Sequence, residues 1–286
     1  ITRARSSDLF RCRSTRTLRA EMTQIRVGIV NYINSRPLSR GLLRGRQEGG
    51  FVCESLPPAV IADRLAAGTL DVGLMPSIEL ARIPGLTVLP GLAIAATHEV
   101  RSVLLVSKVP VGEIASVALD ENSRTSAALV RMILEDRYGL TPRFRPARAD
   151  IGEMLAAADA ALIIGDPALT VPREKYVVLD LAGEWLEMTG LPFVFAVWAV
   201  RAEVATADLV APFTASLETG LAELDMIVSE TAAETGLAPA ILRDYFTRNL
   251  RYRMGPAEQA GLAEFLRRAE THGLTSGSSA LRFARV

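Results

Sequence analysis

SVALDENSRTSAALVRMIL, residues 116–134, joins a strand to a helix, and the join is unusual. The apolar residues Leu129, Met132, Ile133 and Leu134 fit one helical face. Gly139 and Pro142 mark where that helix stops. Ser123 stands at the N-cap position. From Ser123 to Leu134 there is no Asp or Glu, and Arg124 occupies the opening turn. A first turn carries free N–H groups and the positive end of the helix dipole, which acidic side chains normally answer. Here Ser123, Thr125 and Ser126 bring hydroxyls and Arg124 brings positive charge. An end of this kind suits an anion from outside the chain. The plainer alternative is a Ser cap beside a solvated Arg.

Outward from this stretch the chain alternates. IRVGIVNYI, FVCESLP and LDVGLMP read as strands, with a short helix opened by Arg36-Pro37 and another over PAVIADRLAAG between them. LTVLPGLAIA and RSVLLVSKV follow as strands, then SVALD itself. PRFRPA is extended, IGEMLAAADA helical, and AALIIGD a strand ending at Asp166-Pro167. KYVVLDL and FVFAVWAVR are the last strands. From residue 204 onward the pattern is helical, with no strand of its own, so the tail must cover sheets built earlier.

This order predicts an α/β fold with parallel sheet. Two sheet-forming blocks, 25–108 and 115–182, point to two lobes. The division drawn from them puts 22–108 with 200–286 in lobe one and 109–199 in lobe two. The strands at 101–108 and 193–201 are the candidate crossings.

Ligands in open α/β sheets bind beyond the carboxyl ends of the strands. Four short polar junctions stand there: Asn34-Ser35, Pro76-Ser77, Ser123 to Ser126, and Gly165-Asp166-Pro167. Ser102, at the start of the first crossing strand, is expected at the cleft floor. Asn34 also reads as a turn residue, and Asp166 as a helix cap with Pro at N1.

Composition narrows the function. Of 286 residues, 49% are hydrophobic, ample for two packed lobes. Thirty-two basic residues balance 32 acidic ones, without the basic excess of a nucleic-acid binder. The apolar run LPFVFAVWAV is too short to span a membrane. Two histidines, His98 and His272, form no metal-binding pattern, and no phosphate-loop, dinucleotide or Ser-hydrolase motif occurs. Two cysteines make no disulfide framework, which favours a reducing cytoplasm. ITRARSSDLFRCRSTRTLRA, residues 1–20, is Arg-rich and acid-poor. It reads as a transit-like leader or as sequence upstream of a start at Met22, and residues 1–21 are expected to be disordered. At this point a solute-binding protein and an enzyme needing modest acid–base help stand level.

VGIVNYINSRPL, LDVGLMPSIEL, VRSVLLVSKVP, VALDENSRTSAALVRMILEDRYGL, LIIGDPAL and DLAGEWLEMTGLPFVFAVWAVR occur in this order. Together they closely resemble the chorismate dehydratases of the futalosine route to menaquinone, strongly over 25–201 and loosely in the tail. The resemblance implies the two-lobed fold of type II periplasmic binding proteins and a cytoplasmic enzyme. It implies loss of water from chorismate to give 3-[(1-carboxyvinyl)oxy]benzoate by an E1cB-like path, with no metal and no organic cofactor. Asn34 matches the family's catalytic asparagine, and Ser102 a site serine. Ser123, Arg124, Thr125 and Ser126 are the expected carboxylate-binding end, with Ser77 and Asp166 at the cleft mouth. No Glu or His in these motifs stands out as the base. The substrate's own enolpyruvyl carboxylate is one candidate. Two rivals share the fold: a non-catalytic small-anion solute-binding protein, and 1,4-dihydroxy-6-naphthoate synthase. The latter works with a histidine and opens on a motif unlike NYINSRPL. Oligomeric state is not legible.

Overall fold

The computed structural model describes residues 24–44, 50–276 and 281–284; the reading of residues 1–21 lies outside them. Among the described residues eleven strands form two mixed sheets. The strands are β1 (Ile25–Val30), β2 (Phe51–Leu56), β3 (Val72–Pro76), β4 (Leu86–Ala96), β5 (Val103–Ser107), β6 (Ser116–Asp120), β7 (Arg143–Ala147), β8 (Ala160–Ile164), β9 (Val177–Asp180), β10 (Phe193–Arg201) and β11 (Arg251–Arg253). One sheet runs β2-β1-β3-β10-β4-β11 and the other β7-β6-β8-β5-β9.

In each sheet three parallel strands come first, and an antiparallel strand then lies against the third. That antiparallel strand enters straight from the segment joining the lobes. β5 pairs with β8 and β9, so it belongs to the second sheet. β10 pairs with β3 and β4, so it belongs to the first. The sheets therefore place 103–107 and 193–201 on the opposite sides from the division read in the sequence. The crossings are the segments before these strands, 97–102 and 181–192. Strand pairing is long-range, and sequence adjacency does not reveal it.

Side-chain alternation fits this layering. Along β5, Leu104 and Val106 face a small cluster with Met154 and Leu155, while Val103 and Leu105 join the main core. The second crossing is largely helix, Leu181–Thr189, which the sequence reading left unassigned. It buries Trp185 against Phe193 and Phe265, with ring centroids 5.4 and 6.2 Å away. Phe265 lies on the helix Pro256–Thr271, so the tail is bolted onto this crossing. That helix also reaches the second lobe, where Arg268 pairs with Asp136 at 3.0 Å. His272 has Glu135 and Asp136 beside its ring at 3.1 and 3.0 Å.

The tail differs from its reading in two further places. The helical stretch that follows residue 204 breaks at Glu223 into Val210–Ala222 and Leu224–Thr235. β11, a strand of three residues, pairs with β4 inside a stretch read as wholly helical.

Asp180, at the end of β9, ties the two crossings together. Its carboxylate accepts N–H groups from Ala182 and Gly183, capping the helix 181–189. It also accepts from Val100 at 3.0 Å and Arg101 at 2.6 Å, on the other crossing. Arg101 has φ 65°, a left-handed conformation that costs free energy in a non-glycine residue. The carboxylate holds it there, beside Ser102. Asp180→Ala would leave several buried N–H groups without an acceptor and uncap a helix. It is expected to lower stability by about 3 kcal/mol, read as a fall in melting temperature of roughly 6–12 °C. An unchanged melting temperature would rule out the clamp.

Candidate functional site

The strand ends of both sheets converge on a cleft between the lobes. Lobe one contributes Tyr32, Asn34 and Phe195, among others; lobe two contributes Asn122, Ser123 to Ser126 and Gly165; the first crossing contributes Ser102.

Asn34 sits in a 3₁₀ turn, Ile33–Ser35, directly after β1. Ser35 fixes that turn: its hydroxyl, 2% exposed, donates to the carbonyls of Val30 and Tyr32 at 2.6 and 2.9 Å. The Asn34 carbonyl oxygen Oδ1 is sealed from solvent and has no hydrogen-bond partner. The amide NH₂ is therefore the end that can reach the cavity. Ser102 is buried at the cleft floor, and its own carbonyl accepts the Gly165 N–H at 2.8 Å.

The helix Arg124–Asp136 begins as the sequence led one to expect, with one difference. Ser123 occupies the N-cap position, but its side chain makes no cap hydrogen bond. Its hydroxyl is buried and unpartnered. The first helical bond runs from Ala127 N–H to Ser123 C=O at 3.1 Å. The N–H groups of Arg124, Thr125 and Ser126 precede it and gain no acceptor within the helix. The end thus combines free donors, a positive dipole and an idle hydroxyl at the cavity wall.

Thr125 and Arg124 also face lobe one. The Thr125 hydroxyl accepts the Ile78 N–H at 3.2 Å. The Arg124 guanidinium forks onto both Asp63 oxygens at 2.8 Å and reaches Glu79 at 3.3 Å. Its charge is therefore already met by carboxylates on the opposite lobe. Ser77 and Asp166, expected at the cleft mouth, do not line the cavity. Ser77 is fully buried and donates to Val194 C=O at 2.7 Å. Asp166 bridges the lobes, accepting the Ile33 N–H at 3.1 Å next to Asn34.

Close approach of the lobes depends on Gly165. It has φ 68°, and a Cβ there would sit 2.8 Å from the Tyr32 ring. Burial raises the Asp166 carboxyl above its ordinary range, and raises Asp120 similarly. Burial also raises the Tyr32 phenol, helped by both those acids. The second oxygen of Asp120, at the end of β6, has no hydrogen-bond partner.

Two residues around the site were not singled out from sequence. Tyr32 and Phe195 lay inside quoted motifs, in NYINSRP and TGLPFVFAVW, but carried no distinguishing pattern. His98 is exposed on the first crossing and does not line the cavity. Among the described residues no group of three or more His, Cys, Asp or Glu side chains is placed to hold a metal ion, and no helix is long and apolar enough to cross a membrane.

Comparison with known proteins agrees with this architecture. A chorismate dehydratase of Thermus thermophilus is 32% identical over 267 residues, covering 87% of this chain and 95% of the relative. A second, from Campylobacter jejuni, is 30% identical over 176 residues, covering 59% and 64%. Among solved structures, a protein of Archaeoglobus fulgidus superposes with a TM-score of 0.71 at 16% identity, covering 87% of this chain and 98% of that one. The alkanesulfonate-binding protein SsuA of Xanthomonas axonopodis pv. citri, bound to MOPS, gives 0.64 at 18% identity, covering 89% and 95%. At such identities the likeness is one of fold, and the fold is the two-lobed, periplasmic-binding-protein-like one. A family described as menaquinone biosynthesis matches residues 25–271, and the chain belongs to that family.

Proposed function

We propose that this chain is a chorismate dehydratase acting in menaquinone biosynthesis. It would convert chorismate to 3-[(1-carboxyvinyl)oxy]benzoate and water, with the cytoplasm as its setting. The observation that carries the reading is the open helix end at 124–126, with the idle Ser123 hydroxyl, across a cleft from Asn34 and Ser102. The family membership and the relative matched over 95% of its length support it.

The chemistry fits these parts. Chorismate is a dianion. One carboxylate would be received by the N–H groups of Arg124, Thr125 and Ser126 and the Ser123 and Ser126 hydroxyls. Arg124, being paired with Asp63 and Glu79, would hold that end against lobe one rather than offer an unmet charge. Asp166 would support closure through its contact with Ile33, while Ser77 would hold the end of β3 to β10 through Val194. The proton at ring C3 is vinylogous to the ring carboxylate and so is acidified before any base acts. Its removal leaves charge delocalised toward that carboxylate, which the helix end stabilises. The C4–O bond then breaks, hydroxide departs with a proton as water, and the ring becomes aromatic. The Asn34 NH₂ would donate to the departing oxygen, and Ser102 to a neighbouring substrate oxygen. This path asks for neither a metal nor an organic cofactor.

An amide is no base, so Asn34 does not take the C3 proton. The enolpyruvyl carboxylate, tethered to C3 by the ether, is the group we assign to that step. An analogue lacking that carboxylate should still bind yet lose turnover by orders of magnitude. Turnover of the analogue at a near-normal rate would contradict substrate assistance while leaving the dehydratase reading intact.

The direct test is incubation of the purified protein with chorismate, followed by chromatography and mass spectrometry. The expected product is lighter than chorismate by one water and absorbs as an aromatic. Binding without turnover would point instead to a solute-binding protein of the same fold.

A further inference from the structure

A second recess lies behind the helix end that faces the cleft. It holds about 440 Å³ and opens to solvent. Ser123 and Arg124 line both spaces, so the start of the helix Arg124–Asp136 is the wall between them. The proposed reaction runs entirely on the cleft side of that wall.

The floor of the recess is one helical face. Arg124, Ala127, Ala128 and Arg131 line it, at the i, i+3, i+4 and i+7 spacing that brings side chains to one side of a helix. The two alanines keep the floor low between the arginine positions. Leu119 and Pro146 of lobe two and Leu274 of the tail add apolar wall, and Arg82 of lobe one closes the far side.

The three arginines differ in what meets their charge. Arg82 pairs with Glu79 at 2.8 Å and donates to the Leu274 carbonyl at 3.1 Å. Arg124 is taken by Asp63 and Glu79. Arg131 has no carboxylate partner among the described residues. Its guanidinium lies over the Phe144 ring, 4.1 Å from the centroid. Burial holds its pKa below the ordinary value, with no neighbouring acid to offset the lost water. A half-buried cation left in this way gains from an anion. Stacking on Phe144 also fixes the plane in which its N–H groups can meet one. Two acids border the recess without answering Arg131: Asp120, 2% exposed, is turned to the Asn122 N–H at 2.9 Å, and Glu121 is exposed to solvent.

One unmet guanidinium beside an apolar wall suits a carboxylate carried on a small ring. We propose that this recess is a second ligand site, which takes a small aromatic carboxylate on Arg131 and its ring against Leu119, Pro146 and the alanine floor. Inorganic phosphate would satisfy the charge but not the apolar wall.

The test uses 4-bromobenzoate on the full chain. Bromine anomalous scattering from soaked crystals locates the ligand, and calorimetry measures its binding in solution. The parent should show bromine in the recess with the carboxylate on Arg131, whether or not a second molecule enters the cleft. Arg131→Gln should weaken that site roughly 10-fold or more. Ala127→Leu, which fills the floor and leaves every charge in place, should empty it. Arg131→Gln should keep the parent's melting temperature, since the charge removed strands no ion-pair partner, and should still bind 3-[(1-carboxyvinyl)oxy]benzoate in the cleft. Bromine in the cleft alone, an affinity unchanged by Arg131→Gln, or a site seen only at crystal concentration with no calorimetric counterpart would overturn the proposal. A chain that fails to turn over chorismate would count against the dehydratase reading, and the Arg131 comparison would still decide the recess.

Discussion

The open amino end of the helix 124–136 is the constraint around which the rest of the molecule is arranged. A helix end with three free N–H groups, buried beneath Ser123 and Thr125, is costly unless something answers it. The chain answers only part of the demand. Thr125 turns its hydroxyl to Ile78 across the cleft, and Arg124 takes Asp63 and Glu79. Both arrangements spend the side chains on joining the lobes and leave the backbone donors and the Ser123 hydroxyl for a ligand. Closure of the cleft and the proposed reception of an anion thus belong to one helix end.

The crossings supply what that end cannot. Asp180 gathers N–H groups from both of them and holds Arg101 in a left-handed conformation, so that Ser102 enters the cleft floor from a fixed direction. Asn34 is held from the other lobe by the Ser35 turn and by the bond from Asp166 to Ile33. Each group of the proposed site comes from the end of a different strand or crossing, on elements whose own hydrogen bonds are settled. This is the preorganisation that an elimination with a good aromatic driving force still requires.

Much of this is legible in the sequence. Strand ends and their polar junctions follow from local alternation, and Asn34, Ser102 and the Ser123–Ser126 end all line the cleft, as the junction argument expects. What stayed hidden is nonlocal. β5 and β10 join the sheets opposite to those their neighbours in sequence suggest, because pairing across the crossings decides membership. The helix 181–189 was missed because LAGEWLEMTG carries a glycine and a tryptophan inside a short span, which blurs a 3.6-residue pattern. β11 has three residues, too few for alternation to register. Arg124 looked like free charge because Asp63 lies 61 residues away and on the other lobe.

A structure of the protein with 3-[(1-carboxyvinyl)oxy]benzoate bound tests the role of the helix end most directly. A carboxylate oxygen is expected within hydrogen-bond distance of the Thr125 and Ser126 N–H groups and the Ser123 hydroxyl. The ring would lie between this end and Asn34. A product seated in the same cleft with both carboxylates elsewhere, and the helix end at 124–126 left unoccupied, would contradict the account.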